Sequence, residues 1–84
     1  MNRLTEHRAG GYASSAAPEA LLARLGRYED CHEALTDELE RCRRKLEELS
    51  AGGKGRSATY KQLLSNKLLL QELLDRLARY VKED

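Results

Sequence analysis

Leu21, Leu25, Tyr28, His32, Leu35, Leu39, Cys42, Leu46 and Leu49 follow one another at alternating spacings of four and three. A heptad seam of this kind places all nine on one side of a helix and predicts a partner helix along it. Pro18 suits the first helical position and Glu19 the positive end of the helix dipole, while Gly52-Gly53 and Gly55 supply a stop. The pattern therefore predicts a first helix over 18–50, roughly 50 Å long. A second seam, Tyr60, Leu63, Lys67, Leu70, Leu74, Leu77 and Val81, predicts a helix over 58–82. Thr59 with Gln62 three residues on has the form of a capping box at its start. Residues 1–17 show no sustained period and are expected to form an irregular head.

The connection over 51–57 is short, rich in glycine and basic, so the two helices should be antiparallel neighbours in a single domain. Counting outward from it pairs Leu49 with Tyr60, Leu46 with Leu63, Cys42 with Lys67, Leu35 with Leu74 and Tyr28 with Val81. His32 and Lys67 are polar residues at core-type positions, a placement that fixes register and oligomer state at some cost in stability. Lys67 has the reach to snorkel past Cys42 towards Glu38. Leu64, Leu68, Leu69, Leu73 and Tyr80 lie outside the second seam, and one hairpin leaves them in water. At roughly 25 cal/mol per Å² of apolar surface, this is a large unused stabilisation. The expected architecture is an all-α, coiled-coil-like antiparallel hairpin that assembles with copies of itself into a helical bundle.

Composition supports that class. Leucine occurs 16 times and alanine 10 times, against one valine and no isoleucine, phenylalanine or tryptophan. Strands favour β-branched and aromatic residues, so a β or α/β fold is excluded. Charged residues make up 35 % of the chain, above the roughly 25 % of an average soluble protein. The acids and bases nearly cancel, leaving a net charge of +1. Ordered pairs such as Asp37→Arg41, Glu40→Arg44, Glu72→Arg76 and Asp75→Arg79 mark the wet faces. Eighty-four residues enclose little core in which to hold a preorganised pocket, which points away from an enzyme.

Two segments are candidates for binding. Between Ala51 and Leu70 there are four bases, Lys54, Arg56, Lys61 and Lys67, and no acid. Glycines, cations and the free N–H groups of a helix start suit a phosphate, although the order is not that of a Walker motif. A flexible, soluble hairpin loop has the same composition. In the head, Arg3, His7 and Arg8 have the chemistry to meet phosphate, and Tyr12 can stack on a base. Against these stands the ordinary reading of a disordered terminus.

Cys31, His32 and Cys42 lack zinc-site spacing, and no metal or cofactor is expected. Eleven residues of helix hold the two cysteines about 16 Å apart, too far for a disulfide within the chain. They read as reduced thiols of a cytosolic protein. There is no apolar run of membrane-spanning or signal-peptide length. The near-neutral charge and the lack of a continuous basic face argue against a duplex nucleic acid as partner.

Met1-Asn2-Arg3-Leu4-Thr5, a Gly-Tyr pair shortly after it, and Arg24-Leu25-Gly26-Arg27-Tyr28-Glu29-Asp30 resemble small phage and prophage proteins of Firmicutes. Those proteins begin M-x-R-L-T and carry R-L-x-x-Y-E-D; the likeness covers about the first 30 residues and implies a viral origin. Where that set commonly continues with Thr-Gly and a proline, this chain has Cys31-His32-Glu33-Ala34 and prolongs the helix. In layout, His7-Arg8-x-x-Gly11-Tyr12 ahead of a long hairpin is similar to phage anti-CBASS proteins, oligomeric helical hairpins that sequester cyclic oligonucleotide signals. That likeness implies a stacking role for Tyr12 and a cationic one for Arg8. No clear match to the family's second-helix arginine motif is present, with Arg76 or Arg79 as substitutes.

The expectation is a phage-encoded, non-catalytic anti-defence protein in the host cytoplasm. It would sequester a phosphate-bearing nucleotide through Arg8, Tyr12, Lys54, Arg56 and Lys61. The alternative is a protein-interaction module, either an anti-CRISPR-type inhibitor of a host defence protein or a structural coiled-coil scaffold.

Overall fold

The computed structural model describes residues 1–82. The element order is β1 (Glu6–Arg8), β2 (Gly11–Ala13), α1 (Pro18–Ala51) and α2 (Ala58–Tyr80). The chain divides into two compact units, Met1–Asp30 and Cys31–Asp84, and α1 contributes residues to both.

In the second unit the helices pack as a hairpin. Leu39, Leu46 and Leu70 are buried, and Leu35, Cys42, Leu49, Tyr60, Leu63, Lys67 and Leu74 are half-buried around them. These are the seam positions, because alternating steps of three and four return a side chain to the same face of a helix. The helix ends at the loop are built from main-chain geometry. Gly53 adopts a φ of +77°, its N–H donates to the Ser50 carbonyl at 3.1 Å, and that of Lys54 donates to Leu49 at 2.7 Å. This pair of bonds is a Schellman motif, which glycine enters without the steric cost of a Cβ.

The start of α2 differs from the expected capping box. Ser57, not Thr59, is the N-cap; its Oγ accepts from the Tyr60 N–H at 3.1 Å and donates to the Lys54 carbonyl at 2.8 Å. The reach of a cap is two or three residues, and from Ser57 that reach ends on Tyr60. Gln62 instead donates to the Asn66 side-chain oxygen at 3.2 Å. The other end is shorter than expected, since α2 stops at Tyr80 with Val81 as C-cap.

His32 is a further departure, being exposed rather than part of a core. Its counterpart, counting outward from the loop, is Leu77, itself 38 % exposed, so the seam has opened before reaching either residue. Tyr28 belongs to the first unit, where its hydroxyl donates to Met1 Sδ. Lys67 is half-buried as a seam residue, but among the described residues no carboxylate lies within ion-pair distance of it, so the snorkel to Glu38 is not made. Exposed pairs form at Glu40–Arg44 (3.2 Å) and Glu72–Arg76 (2.9 Å), with Lys45–Glu48 at 3.6 Å.

The first unit corrects the expectation of an irregular head. β1 and β2 form an antiparallel ribbon in the register Glu6↔Ala13, His7↔Tyr12 and Arg8↔Gly11. Ala9 and Gly10 make the two-residue turn with φ of +27° and +86°, the left-handed pair that matches strand twist in a tight hairpin. Glycine content alone reads as a break in periodicity, whereas here it closes a turn. The ribbon is tied to its surroundings by Ser14, whose Oγ donates to the Leu4 carbonyl and accepts from the Ala16 N–H. Arg24 of α1 donates to the Asn2 carbonyl at 2.8 Å.

Candidate functional site

Successive side chains of a strand point to opposite faces, so a three-residue strand sorts its chemistry into two sets. His7 and Tyr12 face each other across the ribbon, their ring centroids 5.2 Å apart and tilted by 42°. Glu6 and Arg8 lie on the other face, where Arg8 Nη2 donates to Glu6 Oε1 at 3.0 Å. The cation beside Tyr12 is Arg3, whose guanidinium carbon is 5.9 Å from the ring centroid. Its Nε is held by the Thr5 carbonyl at 2.9 Å and the Thr5 hydroxyl at 3.2 Å, which orients the group. Tyr12 remains 70 % exposed, so an aromatic face is available beside two groups able to meet an anion.

A cleft of about 300 Å³ runs along the ribbon and is lined by His7 to Tyr12. No carboxylate-bearing residue lines it. A second cleft of about 360 Å³ opens between the head and the first turns of α1, and its lining is mainly apolar: Met1, Leu4, Leu21, Leu25 and Tyr28, with Arg3 and Arg24 among them. Arg3 is thus placed beside Tyr12 and also lines the second cleft.

Among the five sequence-derived binding residues, Arg8 and Tyr12 belong to the first unit and Lys54, Arg56 and Lys61 to the second. The three bases are exposed and form no ion pair among the described residues. Arg8 is engaged by Glu6, and the arginine beside Tyr12 is Arg3. The period-two alternation of a strand turns Arg8 away from His7 and Tyr12, and it becomes readable only once 6–13 is known to be a ribbon.

Among the described residues no group of three or more His, Cys, Asp or Glu side chains converges to hold a metal ion. No described helix is long and apolar enough to cross a membrane. Comparison with protein families, with curated proteins and with solved structures finds no match to this chain.

Proposed function

We propose that this protein is a non-catalytic binding protein that sequesters a phosphate-bearing nucleotide at its head ribbon, in the service of a phage against host defence. The observation behind the reading is the exposed Tyr12 ring with Arg3 at 5.9 Å and His7 at 5.2 Å. An aromatic face suits a base, and a guanidinium suits the phosphate attached to it. The resemblance of the head to phage proteins supplies the biological setting. Lys54, Arg56 and Lys61 are exposed bases of the second unit and attract anions as well.

A thermal-shift series with cyclic di- and trinucleotides tests this. A ligand present at 100 times its Kd stabilises the folded chain by about 2.7 kcal/mol, a readily measured rise in Tm. The expected result is a shift with at least one nucleotide that Tyr12→Ala abolishes and Arg3→Ala reduces. No shift across the series removes the reading.

A second reading, a protein-interaction module or coiled-coil scaffold, is favoured by the leucines that α2 leaves exposed, Leu68 and Leu69 above all. Isolation of a one-to-one complex with a host protein, formed without nucleotide, is the result that favours it.

A further inference from the structure

A second apolar stripe runs along α2. Leu69, Leu73 and Tyr80 follow at spacings of four and seven and share one side of the helix, with Leu77 at its border. Leu69 is 60 %, Leu73 41 % and Tyr80 88 % exposed, whereas Leu70, on the flank towards α1, is buried. Continuity along one side of the helix distinguishes this patch from scattered surface leucines. Glu72 and Arg79, one heptad apart, border the stripe on the flank away from Leu70, and Arg76 lies within it.

We infer that this stripe pairs with the same stripe of a second copy of the chain, antiparallel, about a two-fold axis near Leu73 and Arg76. Charge selects both the occupant and the direction. A parallel pair sets Arg76 against Arg76 across the axis and leaves Glu72 facing leucine. Reversing one helix brings the two charged flanks together, so that Glu72, paired with Arg76 in its own chain, also meets Arg79 of the second copy, twice by symmetry. The same reversal lays Tyr80 over Leu69 of the second copy and Leu73 beside the aliphatic stem of Arg76. The surface is therefore complementary to itself in shape and in sign, the requirement of a two-fold interface. The inference is independent of any ligand at the head.

Sedimentation equilibrium of the full chain provides the test, with circular dichroism to follow helicity. The expected mass is that of a dimer or a multiple of it, and Leu69→Gln/Leu73→Gln converts it to a monomer of unchanged helicity, since both side chains are exposed in one chain. Glu72→Arg or Arg79→Glu alone weakens association about ten-fold, and the two together restore it, because each reversal turns two attractive contacts into repulsive ones. A wild-type chain that remains monomeric at about 100 μM overturns the inference. Association that survives the double leucine replacement overturns it too. Charge reversals without effect, or without mutual rescue, overturn the antiparallel arrangement.

Discussion

The Arg3 guanidinium sits 5.9 Å from the centre of the Tyr12 ring, although nine residues separate them in the chain. An exposed cation–π contact of this kind contributes about 0.5–1 kcal/mol. Here its larger consequence is placement, because it sets a charge beside the tyrosine ring of the head ribbon. If the head binds a nucleotide, Arg3→Ala should reduce the ligand-induced Tm rise more than Arg8→Ala does, since Arg8 is turned to Glu6. Equal losses from the two variants would place the ligand elsewhere.

Ala9 holds a φ of +27° in the ribbon turn. An L-residue in the left-handed region carries a steric cost of about 1 kcal/mol that glycine and, in part, asparagine avoid. Ala9→Asn should therefore stabilise the ribbon by about 0.5–1 kcal/mol, seen as amide exchange in residues 6–13 slowed two- to five-fold, by an order-of-magnitude conversion. Unchanged exchange would show that the turn is not strained.

Ser57→Ala removes the acceptor for the Tyr60 N–H and the donor to the Lys54 carbonyl together. Loss of an N-cap costs about 1 kcal/mol. The expected outcome is a lower midpoint in chemical denaturation, whereas Thr59→Ala, not a cap in this structure, should leave the midpoint nearly unchanged.

Lys67 occupies a half-buried seam position without a carboxylate partner among the described residues. Replacing such a charge by a well-packed apolar side chain commonly stabilises, so Lys67→Leu should raise stability by about 1 kcal/mol. It should also blur the oligomer state, because a polar seam residue is what penalises alternative registers. Equilibrium denaturation reads the first effect and sedimentation the second.

Leu46 is one of three buried side chains among the described residues, all leucines. Truncating it leaves a cavity in a hairpin with little other core. Leu46→Ala should cost about 2–5 kcal/mol, the range for buried leucines, and Leu22→Ala, at a largely exposed position, well under 1 kcal/mol. Thermal unfolding followed by circular dichroism separates the two.

Much of the helical hairpin is local information. Leucines at heptad spacing, Pro18 at a helix start and glycine at a helix end act through the few residues around them, so the seam from Leu35 to Leu49 and its partner from Tyr60 to Leu74 were legible in the residue order. The candidate site was only half legible. Arg3, His7, Arg8 and Tyr12 stand out by chemical type, but their sorting into two faces depends on a ribbon three residues wide, closed by a left-handed turn. Such a short ribbon leaves almost no compositional trace. His32 shows the opposite limit: the heptad spacing marks it for a core, while its counterpart Leu77 is itself 38 % exposed, and burial needs a packed neighbour as well as a spacing.

The sequence by itself determined the two helices, their antiparallel hairpin and the excess of leucine on the second, because helical period and end signals are properties of neighbours along the chain. Tertiary structure alone decided that 6–13 folds into a ribbon and that Arg3 rather than Arg8 stands at Tyr12. Those outcomes rest on which groups meet across space, where a hydrogen bond or a ring contact is made once and leaves no repeat in the sequence to read.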